Sequence, residues 1–230
     1  MPLVRAGTRY YGTVEYRVQD PSPPSVPLDD PRARLVLGFV RAIEETGYAA
    51  ATIADIVRHA RVSKRTFYEH FSDKEGCFLA AYLAASEQTL LAIAEAATKP
   101  ASWEKQLDAA LDAYLGALES NPALTRTCLL EILSAGPGAI LVRREVQQRF
   151  AEQLRGFADA ARRRHPELKR LTPAMAAAIV GGINELVLLS VERGPARRLS
   201  ELAATAGELV RAVVGGDALL VKRPRRGAPS

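Results

Sequence analysis

The chain has 230 residues, 48% of them hydrophobic, which is enough apolar material for a substantial core in one large or two small domains and excludes a chain disordered throughout. Its formal charge of +5 suits a polyanionic partner without requiring one. Cys77 and Cys128 lie too far apart in sequence to imply a disulfide framework and fit a reducing cytosol; His59, His70 and His165 lack acidic or thiol companions at ligand spacing, which argues against zinc.

The N-terminal residues lack a basic region followed by an apolar run and a small-residue cleavage site, so they do not read as a secretory signal, and the protein is expected in the cytoplasm. Tyr11 to Val18 alternates weakly and could form a strand if a partner were available, but PSPPSVP after it is a stiff linker. Residues 1–30 are therefore expected to be a disordered arm; the sharper alternative is an arm that touches DNA or a partner subunit through Arg5, Arg9 and Arg17. The first helix starts at Asp30 and Pro31, a cap followed by proline at the first helical position. Leu35, Val36, Phe39, Val40 and Ile43 form its apolar stripe, Gly47 ends it, and Tyr48 is expected in the same small core.

The stretch TIADIVRHARVSKRTFYEHFSDKE, Thr52 to Glu75, carries the densest signal. Thr52 and Asp55 form a variant of the reciprocal capping box, and Ile53, Ile56, Val57 and Ala60 then fall on one side of a helix. A tight turn at Arg61 and Val62 follows, and Ser63 caps a second helix from Lys64 to Phe71. On a helical wheel Phe67 and Phe71 point inward, Arg65, Thr66 and Glu69 outward, with Tyr68 and His70 at the edges and Lys64 at the start. The arrangement is a helix-turn-helix with its second helix offered to DNA. Arg65 has the planar fork that pairs with guanine O6 and N7, and Glu69 can accept from a cytosine amino group. Thr52, Ser63, Lys64, Thr66, Tyr68 and His70 complete the candidate DNA-binding set with residue types suited to phosphate oxygens, contacts that fix register rather than sequence. Ser72 and Glu75 read as a further capping box, which places Lys74 in the first turn of a new helix, where free N–H groups favour a phosphate.

These residues resemble the DNA-binding segment of the TetR family of bacterial transcriptional regulators, which typically reads T-x-x-D-I-A-x-x-A-G-V-S-x-G-T-x-Y-x-H-F-x-x-K-E. Thr52, Asp55, Ile56, Ala60, Val62, Ser63, Thr66, Tyr68, His70, Phe71, Lys74 and Glu75 match it. Three residues depart from it: Val57 where alanine is usual, Arg61 where the turn usually has glycine, and Arg65 where a small residue is common. Arg61 must therefore enter a conformation that glycine adopts without steric cost. The resemblance implies an all-α protein, with a three-helix DNA-binding unit followed by a larger helical ligand-binding and dimerisation domain.

The remaining sequence supports helices throughout. A long helix runs from Lys74 to about Ala97, with Phe78, Tyr82, Leu90, Leu91 and Ile93 among its apolar positions. KPAS at 99–102 interrupts the pattern, a helix follows from Trp103 to about Leu118, and Asn121 with Pro122 opens another that ends at the turn residues 135–138. A charged helix is expected over 139–164, before His165 and Pro166. Thr172 and Pro173 start a helix that is apolar nearly all round and stops at Gly194 and Pro195; its longest apolar run, Ala174 to Val191, is interrupted by Asn184 and Glu185 and falls short of the roughly 20 residues of a spanning helix, so no membrane partner is expected. The last helix, Ser200 to Val214, puts Leu202, Ala206, Leu209, Val210 and Val213 on one face. The domains are expected at 1–30 for the arm, 31–75 for the DNA-binding unit, 76–216 for the helical domain and 217–230 for a flexible basic tail.

Two consecutive helices with wide apolar faces ask for a partner, and helices 172–192 and 200–214 resemble the family's four-helix dimerisation bundle, with Ala176 to Ala178, Gly181 and Gly182 permitting close approach. The resemblance also implies a small-molecule cavity in the second domain. Its candidate lining residues are Trp103, Tyr114, Cys128, Glu131, Phe150, Phe157, Asn184 and Glu185, picked as large aromatics or as unexpected chemistry on apolar helices; each also reads as ordinary core or as an ion-pair partner of Arg126 or Arg155. Such a pocket, apolar with a few polar fixtures, suits a lipophilic effector. Neither a nucleophile–base pair, nor a phosphate loop, nor metal-ligand spacing is recognisable, so no enzyme activity and no cofactor are expected. The reading is a homodimeric, ligand-responsive repressor of a palindromic operator. The alternative is a helical adaptor or carrier without sequence-specific DNA binding.

Overall fold

Capping side chains decide where most of the helices begin. In the computed structural model, which describes residues 30–98, 101–133, 137–194 and 198–215 apart from the side chains of 133 and 137, Asp30 accepts from the Arg32 N–H at 2.9 Å and opens α1, Pro31–Ala50. The regular turn breaks at Gly47, with φ 77°, and one further turn carries the chain to Ala51, whose N–H donates to the Gly47 carbonyl at 3.0 Å. Thr52 and Asp55 form the expected reciprocal box at the start of α2, Ile53–Ala60, and Ser63 accepts from Thr66 N–H at 3.0 Å to open α3, Lys64–His70. Side-chain oxygens of Ser102, Asn121 and Thr172 likewise open α5, Trp103–Ser120, α6, Pro122–Leu130, and α8, Pro173–Arg193. Each oxygen satisfies an N–H that the helix cannot.

One cap differs from the expectation. Asp73, not Ser72, opens α4, Lys74–Ala97: its carboxylate accepts from Gly76 N–H at 2.7 Å, while the Ser72 hydroxyl donates sideways to Asp73 at 3.0 Å. A carboxylate one residue nearer the helix wins the site, so the Ser72–Glu75 box does not form. Three boundaries shift as well. Pro137 and Gly138 belong to the first turn of α7, Pro137–Arg162, rather than to the preceding turn, because proline at a helix start forfeits no hydrogen bond. A short 3-10 turn, Glu131–Leu133, follows α6, and another, Leu199–Leu202, precedes α9, Ala203–Val214, where one continuous helix was expected. The arm, its possible strand, the basic tail, Lys99, Pro100, Pro195 and Ala135 to Gly136 lie outside the described residues.

The apolar side chains assemble into three clusters. The first takes Leu35, Phe39, Ala42 and Ile43 of α1, Ile56, Val57 and Ala60 of α2, Phe67 and Phe71 around α3, and Cys77 to Ala81 of α4, and it extends into the second domain through Leu124, Ile132 and Ala139. The expected boundary at 75 thus falls inside a continuous core. Tyr48 joins it as expected, its ring 5.2 Å from that of Phe78 and 6.3 Å from that of Phe39. The second cluster gathers Trp103, Leu107 and Leu111 of α5 with Ala158, Ile179, Ile183, Ala206 and Val210 from α7, α8 and α9; the third holds Leu115, Val187, Val191 and Leu199.

By length and composition α4 and α8 would each cross a bilayer, so the expectation that the 174–191 run falls short is corrected: α8 has 21 residues. α4 is engaged otherwise. Ser86 and Thr89 are buried with their hydroxyls donated back to the Tyr82 and Ala85 carbonyls, and α7 grips it through Gln153, which donates to the Leu90 carbonyl at 2.8 Å, and through the Arg149–Glu87 ion pair. Leu91, expected among the apolar positions, is exposed.

Helices α1 and α2 meet backbone to backbone at Gly38. A Cβ there would lie 2.5 Å from the Ile56 carbonyl oxygen and 2.9 Å from the Ala60 nitrogen, atoms that cannot yield without moving a helix. Gly38→Ala should therefore destabilise the protein by about 1–3 kcal/mol, read as a lowered denaturant midpoint. An unchanged midpoint would mean that the two helices pack further apart.

Candidate nucleic-acid interface

The turn between α2 and α3 rests on one uncommon backbone conformation. Arg61 has φ 53° and ψ 47°, the left-handed region that its place in the motif demands and that glycine enters more easily. Its N–H and that of Val62 close back on the Arg58 and Val57 carbonyls at 3.3 and 3.1 Å. The free Arg61 carbonyl accepts from Arg34 Nη2 of α1 at 2.7 Å. Two helices, α1 and α2, thereby hold the turn.

From that turn α3 projects as the wheel requires. Phe67 and Phe71 are buried with their rings tilted and 5.8 Å apart, while Tyr68, edge-on to Phe67, leaves 59% of its surface in solvent. Lys64, Arg65, Glu69 and His70 are exposed and Thr66 is half-buried, its hydroxyl 2.9 Å from that of Ser63. Arg65 and Glu69, expected to read separate bases, are paired with one another at 3.1 Å. With 89% of the Arg65 side chain exposed this pair is weak, and a base edge can compete for either member. Thr52 at the start of α2 is exposed; its hydroxyl donates to Asp55 at 2.6 Å, and this bond, with the Thr52 N–H and Arg58, holds the Asp55 carboxyl below its usual range.

Charge is distributed unevenly around this head. Arg58 is neutralised by Glu45 at 2.9 Å and Asp55 at 3.4 Å, and Arg58 in turn keeps the Glu45 carboxyl below the ordinary value. His59 Nε2 lies 3.0 Å from the same Glu45 oxygen. On the other side Arg34, Arg61 and Lys64 form no ion pair among the described residues.

Lys74 departs most from its expected role. Its ammonium donates to the Tyr48 and Ala51 carbonyls at 2.7 and 2.9 Å and sits 4.5 Å from the centre of the Tyr48 ring, and burial pulls its pKa down against the opposing charge of Glu131. The three donors of an ammonium suit a cluster of carbonyls left open where α1 ends. The side chain closes the head instead of facing out of it. Arg34 and Arg61 are the reverse case: Arg34 is outside the expected set, because nothing in the apolar stripe of α1 marks it, whereas Arg61 was visible as the residue standing in place of a turn glycine.

The candidate effector residues do not converge on one site. Tyr114 of α5 donates to Asn184 Oδ1 of α8 at 3.1 Å and meets the Phe150 ring of α7 edge-on at 5.7 Å, and burial pushes its phenol pKa up. Trp103 and Phe157 belong to the cluster beside this group. Cys128 packs against the head-side core, where burial raises its thiol pKa, and Glu131 faces Lys74 at the junction. Glu185 is exposed. Nor do the arginines serve these acids: Arg126 donates to the Val191 carbonyl at 3.2 Å, and Arg155 Nε is buried without a partner. Two surface clefts, of about 350 and 360 Å³, lie at Pro122, Arg126 and Val191 to Gly194 and between α7 and α8 at Arg144, Arg155 and Pro173; none of the eight candidates lines either.

The family model described as bacterial regulatory proteins, tetR family, matches residues 40–81, which span the head from mid-α1 into α4. Over those residues the chain carries a tetR-family head. No curated protein matches it. Among solved structures it is similar to the fatty acid degradation regulator FadR of Bacillus halodurans, at 19% identity and a TM-score of 0.66, over 77% of this chain and 96% of that one. FadR of Bacillus subtilis, solved in complex with stearoyl-CoA, gives 18% identity and a TM-score of 0.65 over 80% and 98%. A TetR-family regulator of Mesorhizobium loti gives 20% and 0.65 over 80% and 96%. Identities this low establish the shared TetR fold, both head and helical domain.

Lys74→Met, which keeps the stem and removes the donors, should cost this TetR head about 1–3 kcal/mol by leaving the carbonyls of the α1–α2 connection unpaired. The salt dependence of DNA binding should keep its slope, because no phosphate contact is lost. A slope shallower by about 1 per head, with stability unchanged, would restore Lys74 to the phosphate-binding set.

Proposed function

We propose that this chain is a TetR-family regulator, a homodimeric repressor that reads a palindromic operator with α3 and releases it on binding a lipophilic effector. The observation that carries the reading is the make-up of α3: two buried phenylalanines lock its inner side, while Lys64, Arg65, Tyr68, Glu69 and His70 stand in solvent on a capped, braced helix. Such a face supplies both the phosphate and the base-edge chemistry that a major-groove reader needs.

The dimer is supported by α8. Ala174, Ala177, Ala178, Gly181 and Leu189 leave an exposed, mostly small and apolar strip along a helix apolar enough to be buried all round. A second copy of the same strip would cover it through a two-fold contact, and a two-fold protein calls for a two-fold operator.

For the effector, the support is chemical. Tyr114 and Asn184 place a polar pair among the aromatic and aliphatic side chains of α5, α7 and α8, and the similar FadR of Bacillus subtilis was solved with stearoyl-CoA. We therefore assign the effector to the long-chain acyl class. It frees DNA only to the extent that it prefers the conformation DNA does not.

Selection from a random pool of duplexes at moderate salt should enrich a palindrome. With it in hand, Arg65→Ala should lose about 1–3 kcal/mol, concentrated at one base position of each half-site. Equal binding of every duplex by parent and variant would remove α3 as the reader. Titrating acyl-CoAs of increasing chain length into the protein–palindrome complex should release DNA more effectively as the chain lengthens. No release by any chain length would exclude the acyl class while leaving the operator reading intact.

A further inference from the structure

Arg61 is the sole non-glycine residue with positive φ among the described residues, and it occupies a turn where a glycine would sit without strain. A side chain kept in that conformation is a reason to look for function. This side chain packs against nothing that needs it: Arg61 is exposed, and neither an ion pair nor a hydrogen bond engages its guanidinium among the described residues. Only its backbone is used, its N–H donating to the Arg58 carbonyl and its carbonyl accepting from Arg34.

That bond has an electrostatic consequence. It draws the Arg34 guanidinium to the Arg61 backbone at 2.7 Å, two residues before the cap of α3, and Lys64 follows directly. The exposed side chains of Arg61 and Lys64 leave the chain within four residues of one another beside that bond, and none of the three cations is in an ion pair among the described residues, whereas Arg58 is neutralised by Glu45 and Asp55. Positive charge without an acidic partner beside the reading helix suits a phosphate oxygen. We propose that Arg61 is a DNA-phosphate ligand at the turn, a contact additional to those of α3, and that Arg34 is its positioning residue. This rests on the reading of α3 as the DNA-facing helix.

The substitution that tests it removes strain and charge together. Arg61→Gly and Arg61→Asn both tolerate the left-handed turn and should melt at or above the parent temperature. Both should nevertheless bind the selected palindrome and scrambled duplex more weakly by a common factor, with a log–log salt slope shallower by about 0.9 per head, so that between 50 and 200 mM salt the parent loses about 3.5-fold more affinity per head than the variant. Arg61→Lys, charged but without the fork, should restore most of the slope. Arg34→Met should lower the affinity of the parent more than that of Arg61→Gly, because positioning has no value once the ligand is gone. Parent-like affinity and slope in Arg61→Gly would overturn the proposal, and so would weaker binding with an unchanged slope and a lower melting temperature, which marks a turn residue that is only structural. A parent that enriches no duplex would bring down the reading of α3 as well; a parent that enriches one and is matched by Arg61→Gly would bring down this inference alone.

Discussion

The ammonium of Lys74, donated to the carbonyls of Tyr48 and Ala51 and lying against the Tyr48 ring, ties the long fourth helix to the connection between the first two. Those carbonyls are open because the first helix breaks at Gly47, and an unsatisfied carbonyl in a half-buried place is costly. One side chain thus supplies what a regular helix end would have lacked. The Phe39, Tyr48 and Phe78 rings close over the same spot, and the geometry of the head depends on this joint.

Because the joint belongs to α4, the head is not an independent bead. Its core runs on into Leu124, Ile132 and Ala139, residues of α6, the 3-10 turn and α7, and Glu131 of that turn bears electrostatically on Lys74. Close-packed cores transmit displacement instead of absorbing it. Any movement of α6 relative to α4 must be felt at the base of the reading head, which gives effector control, as proposed, a physical route through packed side chains.

The second domain separates burial from polarity in the opposite way. α5 and α9 present amphipathic faces to α7 and α8 and leave their charges outside, as in the Arg211–Asp108 pair at 2.7 Å. α8 keeps an apolar strip in solvent and turns Asn184 inward to Tyr114. A half-buried amide on an apolar helix gains from a partner, and a strip of small residues left bare is costly in water. The two features are what the proposed effector and the proposed second subunit would use.

Local chemistry was legible in the sequence wherever the deciding interaction spans three or four residues. The caps at Asp30, Thr52, Ser63, Asn121 and Thr172 and the inward side of α3 follow from neighbours along the chain, since a helix pairs i with i+3 and i+4 whatever surrounds it, whereas the strained turn at Arg61 was legible only through the resemblance, which puts glycine there. Two near-equivalent caps one residue apart, Ser72 and Asp73, already exceeded that rule. Partners far apart in the chain were decided by the tertiary structure alone: Lys74 turning to carbonyls 23 and 26 residues away, Arg34 reaching Arg61 across 27, and Tyr114 finding Asn184 across 70 while Cys128 and Glu131 went to the head. A long polar side chain of given type can serve phosphate, carbonyl or carboxylate equally well. Which one it serves is set by what the packing of other helices brings within its reach.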